Sequence, residues 1–252
     1  MLVTVEGIVI GKRDIGESNC FLDILTGEYG VIEATAHGVK KTNSSNMSAA
    51  GLFSYSKFCL NKSNYKYTLN SAEPKCSFFG LSSDLKKFSL AVYFAEIVKY
   101  TSAAEQNGED ILRFFAITLF KLQKENSDCD LIKSVFEFRI ASMLGFLPDL
   151  RACRSCGKFI NGDMFFSFED NSLICEECRE LEHNMGEELK PLSPQLLHTM
   201  RYVTYSAAEK VYCFSLSGDT RDSFLAFAED YLLRQLGRGF NTLDYYKKLD
   251  LI

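Results

Sequence analysis

The 252-residue sequence has no tryptophan, four prolines, three histidines and no long uninterrupted hydrophobic run. Its longest apolar stretches, 90–98 and 111–122, contain the charged residues Glu96, Arg113 and Lys121. Neither stretch approaches the roughly 18–20 clean apolar residues that a membrane-spanning helix needs. The N-terminus also lacks the basic segment and small-residue cleavage site of a signal peptide. The sequence therefore predicts a cytoplasmic protein.

An excess of basic residues is also missing, since 28 Lys and Arg stand against 33 Asp and Glu, for a net charge of -5. The charge is uneven along the chain. Residues 1–80 hold eight basic and seven acidic residues, so residues 81–252 carry an acidic excess of six. An anionic partner such as DNA is therefore expected to meet the first third of the chain more easily than the rest.

Motifs of nucleotide-binding and hydrolytic enzymes are lacking. The sequence has no GxxxxGK[ST] loop, no GxGxxG opening a helix, no HExxH and no GxSxG. His37, His183 and His198 are interpreted as surface or structural histidines, because no nucleophile or acid–base set surrounds them in the sequence. The sequence thus predicts a protein that is not an enzyme.

The first 75 residues contain segments in which apolar and polar residues alternate. These segments are rich in β-branched residues and are separated by turns. Five strands are predicted, at Leu2–Ile10, Cys20–Leu25, Val31–Ala36, Leu52–Leu60 and Tyr65–Ser71, with a polar loop over Gly38–Ala50. Five short strands without a strong helix signal favour a small closed sheet of the OB type, because closure removes exposed strand edges.

Pro74 is interpreted as a boundary, since helical periodicity follows it. Helices are predicted over Leu85–Tyr100, from about Glu109 with Asn107 as its N-cap, over about 131–140 ending at Gly145, after Ser193-Pro194, and over about Thr220–Leu236 with Gly237 as its C-cap. The predicted fold is α+β, with a five-stranded OB-fold barrel at residues 1–80. An all-α domain at residues 81–252 is expected to carry a zinc-binding insertion at about 150–180.

Four of the nine cysteines form two CxxC pairs, Cys153–Cys156 and Cys175–Cys178, separated by 18 residues. A CxxC turn directs two thiolates to one point, and two such turns complete the tetrahedron that Zn²⁺ adopts in structural sites. Between the pairs, Met164–Phe168 and Leu173–Ile174 predict a hairpin that brings them together. One structural zinc ion with no open coordination position is expected, and an iron–sulfur cluster, redox-active dithiols and a site that no longer binds metal are the alternatives.

The residues around and outside these pairs receive simpler interpretations. Arg151, Arg154, Lys158 and Arg179 are expected to offset the charge of four thiolates, with contact to an anion as the alternative. The remaining cysteines, at positions 20, 59, 76, 129 and 213, lie among apolar residues and are interpreted as small core residues.

Three segments resemble a known family. Residues 7–41 (GIVIGKRDIGESNCFLDILTGEYGVIEATAHGVKK) resemble the N-terminal domain of RecO, the bacterial recombination mediator and annealing protein. Residues 136–158 (FEFRIASMLGFLPDLRACRSCGK) are similar to that family's helix leading into its zinc motif, and residues 224–249 to its closing helix. The resemblance spans nearly the whole chain in the right order.

The resemblance implies an OB-fold domain followed by a helical domain with the zinc motif. It implies binding of single- and double-stranded DNA, strand annealing, and partnership with RecR and single-stranded DNA-binding protein. The family helps RecA displace that protein during recombinational repair, so association with the bacterial nucleoid during repair is also implied.

An OB barrel binds single strands through a basic groove with stacking aromatic residues. The candidate DNA-binding residues are Lys12, Arg13, Lys40, Lys41, Lys57, Lys62 and Lys66, and the candidate stacking residues are Tyr29, Tyr55, Tyr65 and Tyr67. Solvated lysines and barrel-core tyrosines are the alternative interpretation. Many relatives are more basic where this chain has KKTNSSNMSAA, which predicts DNA binding with marked salt sensitivity.

Two other functions stay open beside the annealing mediator. The acidic balance of the chain is compatible with a zinc-stabilised protein-interaction scaffold of the repair machinery that has weak DNA contact. The four-cysteine motif alone is also compatible with a zinc-ribbon enzyme acting on nucleic acid, for which a polar catalytic set would be required.

Overall fold

The computed structural model describes residues 1–64, 66–102, 108–159, 163–182 and 188–249. The chain forms two compact units. The first combines residues 1–129 with residues 240–252, and the second comprises residues 130–239. These units are defined by compactness, whereas the boundary at residue 80 rests on sequence pattern and stays a prediction.

Five strands of the first unit form a closed barrel: β1 (Leu2–Ile15), β2 (Asn19–Thr26), β3 (Gly30–Ala36), β4 (Ser54–Ser63) and β5 (Lys66–Ser77). The strand order is β1-β2-β3-β5-β4, and β4 pairs again with β1. All neighbouring pairs are antiparallel except β3 and β5, which are parallel at Ala34–Tyr67 and Thr35–Thr68. The prediction of a five-stranded barrel is confirmed.

The alternation of side chains explains why this sheet closes. Apolar side chains at every second position are buried, as at Cys20, Leu22 and Ile24 of β2, and together they fill the barrel interior. At Gly7 the strands approach too closely for a side chain, since an added Cβ would lie 2.5 Å from the carbonyl oxygen of Leu25.

β1 and β5 extend furthest beyond their predicted limits, and β4 begins and ends two to three residues later than predicted. β1 continues to Ile15, because Gly11–Ile15 pairs with β2 after a bulge between Val9 and Gly11. β5 runs through Pro74 to Ser77, so Pro74 is not a boundary. Proline is tolerated there because β3 pairs with β5 only at Tyr67 and Thr68, leaving the later part of β5 at an edge of the ladder.

Three helices complete the first unit: α1 (Leu85–Thr101), α2 (Glu109–Leu122) and α7 (Asn241–Leu249). α2 begins at the predicted residue, with Gly108 as its N-cap, and Asn107 lies outside the described residues. The Gly108 amide donates to the Gly27 carbonyl at 2.7 Å, which joins α2 to the β2–β3 turn.

The helix α7 packs on α1. The rings of Phe240 and Tyr93 meet edge to face with centroids 5.7 Å apart. The Thr242 hydroxyl donates to Glu96 at 2.6 Å, and Tyr246 is buried. Residues 240–249 therefore belong to the core of the first unit, although they follow the whole second unit in the sequence.

The second unit combines helices with a small sheet. Its helices are α3 (Cys129–Met143), α4 (Glu176–Glu182), α5 (Pro194–Tyr205) and α6 (Gly218–Leu236), and its strands are β6 (Asp149–Cys153), β7 (Met164–Ser167), β8 (Ser172–Cys175) and β9 (Leu189–Leu192), in the order β6-β8-β7-β9. The prediction of an all-α second domain is therefore wrong, although the hairpin predicted between the cysteine pairs is confirmed as β7–β8. Short strands such as Leu189–Leu192 have too few residues to show an alternating pattern.

Aromatic residues form the core of this unit. Phe138 of α3 contacts Phe224, Phe227 and Tyr231 of α6, with ring centroids 5.3–6.1 Å apart. Phe166 of β7 meets Phe227 at 5.2 Å, which joins the sheet to α6. These edge-to-face contacts fix the helices and the sheet against one another within the unit.

The predicted helix ends of the second unit are confirmed. Ser193 caps α5, with its hydroxyl accepting from the Leu196 amide at 3.3 Å and Pro194 at the first helical position. Gly237 ends α6 in the left-handed conformation, at φ 64°. Gly145, at φ 98°, follows the end of α3.

Candidate metal centre and nucleic-acid interface

The four paired cysteines lie at the ends of two strands and in the segments that directly follow these strands. Cys153 is the last residue of β6, and Cys156 follows in a turn completed by Gly157, whose φ is 69° and whose amide donates to the Cys153 carbonyl at 2.9 Å. Cys175 ends β8, and Cys178 lies one turn into α4. Arg154 donates its amide to the Leu173 carbonyl at 2.8 Å, which holds the first turn beside β8.

The sulfur atoms of the four cysteines all lie within 4.8 Å of one another. Those of Cys156 and Cys175 are 3.8 Å apart. A tetrahedral zinc ion with Zn–S bonds of about 2.3 Å places its sulfurs about 3.8 Å from each other. The four cysteines are therefore positioned to bind one metal ion.

The site lies mostly inside the unit, because Cys153, Cys175 and Cys178 are buried and Cys156 is exposed. Burial alone raises the pKa of the Cys153 thiol. Donation from the backbone amides of Cys156, Cys175 and Ser155 outweighs burial and lowers the Cys153 pKa to about 6. These amides are aimed at a thiolate, which is the form that binds metal.

The pKa values of the other two buried thiols are shifted in the opposite direction. The hydrogen bond with Cys156, together with burial, raises the pKa of Cys178 to about 12, and burial raises the pKa of Cys175. Several thiolates this close repel one another, so their simultaneous deprotonation requires a cation among them. A divalent metal ion would supply that charge.

The basic residues around the cysteines are engaged with carboxylates. Lys158 pairs with Glu177 at 2.9 Å and Arg151 with Asp149 at 2.9 Å, while Arg154 pairs with Asp170 and Arg179 with Glu176. The sequence could not reveal the partners of Arg154 and Lys158, because Asp170 lies sixteen residues from Arg154 and Glu177 nineteen from Lys158.

The prediction for the remaining cysteines is wrong in part. Cys20 is buried in the barrel core, and Cys59 and Cys129 are half-buried, but Cys76 and Cys213 are exposed. Cys76 lies near the end of β5, beyond the part that pairs with β3. Of the histidines, His37 and His198 are exposed, as predicted, and His183 lies outside the described residues.

At the end of the barrel that carries the β1–β2 turn, Lys12, Lys40 and Lys41 are exposed. Lys40 pairs with Asp14 at 2.7 Å, and its amide donates to the Ser18 carbonyl at 3.1 Å. The hydrogen bond from Lys40 is the main cause that lowers the pKa of Asp14, and Lys12 adds to it. Among the described residues, Lys12 and Lys41 have no carboxylate within ion-pair distance.

The loop between β3 and β4 is folded as successive turns. The amides of Lys41, Ser44 and Met47 each donate to the carbonyl three residues earlier, at 2.9–3.2 Å. Asn46 accepts from the Ala72 amide of β5 at 2.9 Å, which attaches the loop to the barrel. Lys40 and Lys41 therefore begin an anchored segment.

Arg13 lies on another face, where it pairs with Glu33 and approaches Asp23 at 3.9 Å. Asp23 is buried and accepts from Lys99 of α1 at 2.6 Å. This cluster joins the outer surface of the barrel to α1, so the charge of Arg13 is largely offset by two carboxylates. The sequence did not predict this role for Arg13.

Lys57 is exposed on β4, directly across from Glu6 of β1 and Glu73 of β5. Glu6 also accepts from Tyr55 at 2.8 Å. Burial, with this bond to Glu6, raises the pKa of Tyr55 to about 12. Tyr55 is therefore engaged with Glu6, a carboxylate that also pairs with Lys75.

Lys62 and Lys66 lie near the β4–β5 turn. The Lys62 ammonium sits 4.9 Å from the ring centroid of Tyr29 and 5.3 Å from that of Tyr67. Tyr67 is buried, Tyr29 is half-buried against the barrel core, and Tyr65 lies outside the described residues. Lys66 is exposed.

The seven candidate residues are spread over β1, β4, β5 and the loop after β3. Lys62 exchanges backbone hydrogen bonds with Met1, at the beginning of β1, whereas Lys12 and Arg13 lie near its end. Across the ladder, however, Lys12 pairs with Leu22, Leu22 with Ala34, Ala34 with Tyr67 and Tyr67 with Lys62, so Lys12 and Lys62 lie in one row with three strands between them. Within the described ranges, no helix has the length and apolar character needed to cross a membrane.

Two protein-family models match successive parts of the chain. The model described as "Recombination protein O N terminal" matches residues 1–78, and the one described as "Recombination protein O C terminal" matches residues 82–244. The first match contains the whole barrel, and the second contains all four paired cysteines.

Curated relatives named "DNA repair protein RecO" are similar over nearly the whole chain. The relative from Alkaliphilus metalliredigens is 30% identical over 250 residues, covering 99% of this chain and 100% of the relative. The one from Acetivibrio thermocellus is 29% identical over 98% of this chain and 97% of its own length, and that from Bacillus subtilis is 31% identical over 88% and 84%. The barrel, the four-cysteine centre and these matches together show that the chain belongs to the RecO family of DNA repair proteins.

Proposed function

We propose that this protein is a non-enzymatic DNA-binding and strand-annealing mediator of recombinational repair. It acts with RecR to help RecA load on DNA that is coated by single-stranded DNA-binding protein. The observation that carries this proposal is the full-length match to RecO proteins over a chain with a closed five-stranded barrel. Barrels of the OB type bind oligonucleotides, and single strands interact with them through positive charge and stacking.

The proposed DNA contact begins at the barrel end that carries Lys12, Lys40 and Lys41. Lys12 and Lys41 are exposed and have no carboxylate partner among the described residues, so their charges are available to phosphate groups. Lys62 and Lys66, beside the β4–β5 turn, extend the contact, and Arg13 and Lys57 contribute less because carboxylates lie beside them.

In this proposal the cysteine centre holds one structural Zn²⁺. Cys153, Cys156, Cys175 and Cys178 supply four thiolates, which fill a tetrahedral site and leave no position for substrate. The metal contributes by fixing β6 to β8 and α4, and no chemical step is assigned to it.

The test is an ATP-independent annealing assay with complementary oligonucleotides, with and without single-stranded DNA-binding protein, over a salt series. The variant Lys40→Glu/Lys41→Glu is expected to anneal more slowly. Its binding is also expected to depend less on salt, by about 0.7 in the logarithmic slope for each phosphate group that the variant no longer neutralises. The control is Lys247→Glu/Lys248→Glu, which makes the same charge change on two adjacent exposed lysines of α7. Equal annealing by the two double variants would remove Lys40 and Lys41 from the proposed contact.

The pairing of Arg13, Lys40 and Lys75 with carboxylates favours one alternative, a repair scaffold with weak DNA contact. Such a protein would bind RecR while its DNA binding disappears at physiological salt. Measuring both interactions in the same buffer distinguishes the scaffold from the mediator.

A further inference from the structure

An exposed aromatic side chain lies beside the cysteine centre, within the second unit. Phe159 is 63% exposed, which is unusual for a large apolar residue. The guanidinium carbon of Arg201 lies 4.4 Å from the centroid of its ring. One face of the ring is therefore covered by a planar cation, and the high exposure leaves the rest of the ring open to solvent.

Arg201 is held in place by backbone groups. Its Nε donates to the Leu150 carbonyl at 2.7 Å, and Nη2 donates to the Arg151 carbonyl at 3.2 Å. Within the described ranges no carboxylate lies at ion-pair distance from it. Arg201 thus differs from the four cations around the cysteines, because its charge is fixed in position and not offset by an acidic side chain.

A second exposed ring, that of Tyr205, lies on the same face of α5 as Arg201. Tyr205 follows Arg201 by four residues, which places the two side chains on one side of the helix. Tyr205 is 53% exposed and lies within electrostatic range of both Arg201 and Arg151. Arg151 forms a bidentate pair with Asp149, so its charge is offset.

The cysteine turn positions Phe159. The Cys153 amide donates to the Lys158 carbonyl at 3.1 Å, which fixes the backbone immediately before Phe159. Lys158 in turn pairs with Glu177 of α4. The ring is therefore presented by the same turn that supplies two of the metal ligands.

We propose that Phe159, Arg201 and Tyr205, here called the Phe159 platform, form a stacking surface for unpaired bases of single-stranded DNA. Exposed aromatic rings and guanidinium planes are the groups on which unpaired bases stack, and an uncompensated arginine beside them attracts the adjacent phosphates. The platform is separate from the candidate residues of the barrel. It rests on the proposed function in that the ligand is DNA.

Tryptophan fluorescence tests the platform directly, because the chain has no tryptophan. In Phe159→Trp, the emission is expected to fall when oligo-dT binds, since stacked bases quench the indole. The matched control is Phe120→Trp, at another exposed phenylalanine (56%) that also carries a cation, the Lys124 ammonium at 5.2 Å. Its emission is expected to stay constant. Anisotropy of a labelled oligo-dT, recorded in parallel with the unsubstituted protein, reports binding as such.

The outcomes separate this inference from the proposed function. If the labelled oligo-dT binds while Phe159→Trp emission does not change, the platform is refuted and the proposed function stands. The same conclusion follows if both tryptophan variants are quenched equally. If the unsubstituted protein does not bind the oligo-dT, the proposed function fails, and the platform with it.

Affinity measurements give a second, independent test. Phe159→Ala is expected to weaken oligo-dT binding about tenfold, as expected for removal of one stacking partner, without changing the salt dependence. Lys40→Glu/Lys41→Glu is expected to reduce that salt dependence. Phe120→Ala is the control, and melting temperatures verify that each variant is folded. An unchanged affinity in folded Phe159→Ala would overturn the proposal.

Discussion

The barrel and the cysteine-bearing sheet are both built from short strands, but different interactions hold them together. In the barrel every strand pairs with two neighbours and the ladder closes on itself, although β3 and β5 pair only at Ala34–Tyr67 and Thr35–Thr68. In the second sheet, β6 pairs with β8 only at Asp149–Ser172 and Cys153–Leu173, with a register shift between these positions. The cysteines are concentrated where this pairing is weakest. The barrel is held by a closed ring of paired strands, whereas the second sheet is open and brings four cysteines together where β6 and β8 pair least.

Removing the metal ligands is expected to have the largest effect and to separate the two regions. Cys175→Ser/Cys178→Ser, or treatment with a strong chelator, should abolish protection of amide hydrogens over residues 149–192 while the barrel strands stay protected, because a structural metal supplies much of the folding free energy of such a site. Hydrogen exchange resolved by segment measures this.

The matched control replaces two exposed cysteines outside the cluster, Cys76→Ser/Cys213→Ser. Its exchange pattern should equal that of the unsubstituted protein. If the Cys175/Cys178 variant were also unchanged, the cysteines would have no structural role and the comparison with the barrel would fail.

A buried ion cluster of the second unit should give the next largest effect. Lys133 bonds to Glu137 at 3.0 Å and to Glu229 at 2.7 Å, and Glu137 is fully buried. Lys133→Met removes this cation from both carboxylates, so we expect a decrease of about 3–5 kcal/mol in the free energy of unfolding. Lys210→Met, at an exposed lysine of the same unit, is the control.

The pH dependence of this variant gives a further check. Burial works against the charged form of Lys133, but the two glutamates outweigh it and raise its pKa above 10.5. The raised pKa stabilises the folded protein fully below pH about 10.5, and this contribution is lost as the pH rises through the folded-state value. In Lys133→Met, a buried carboxyl without this cation has a raised pKa, so the deficit should grow between pH 5 and pH 8. A deficit independent of pH would indicate a packing defect instead.

The smallest of the three effects is expected in the barrel. Gly7→Ala places a Cβ 2.5 Å from the Leu25 carbonyl oxygen and 2.8 Å from Cγ2 of Ile24. Relief of this overlap must shift the ladder, at a cost of about 1–3 kcal/mol in unfolding free energy. Gly239→Ala, where an added Cβ meets nothing within 4 Å, should be neutral. Chemical denaturation measures both, and equal stability of the two variants would show that the barrel tolerates expansion at this point.

The barrel was predictable because its strands are long enough to show alternation. β3 buries every second residue, β2 alternates only as far as Leu22, and turns with Gly27 and Gly30 mark their ends. The extension of β1 beyond Ile10 was not predictable, since the bulge between Val9 and Gly11 shifts the alternation. The four-residue strands β7 and β8 were predicted only because the cysteine pairs had to meet.

Site residues were predictable where they act through local sequence and not where they act through distant partners. The CxxC spacing by itself predicts that the two cysteine pairs form one tetrahedral metal site. By contrast, Arg13 is offset by Glu33 and Asp23, and Arg201 reaches Phe159 from a different element, and such contacts exist only after folding. Charge counts along the sequence therefore overestimated the positive charge that Arg13 offers to DNA. They also gave no sign that Arg201 lies beside Phe159.

The return of α7 to the first unit has a consequence for how the protein is made. A ribosome releases α1 early, but Phe240, which covers Tyr93, and Tyr246, which contacts Lys86, emerge only after residues 130–239 have been synthesised. Domains generally fold in the order in which they emerge, yet here the second unit can finish before the first. A stop codon after Gly239 would therefore leave the cysteine centre complete and uncover the helix that supports the barrel.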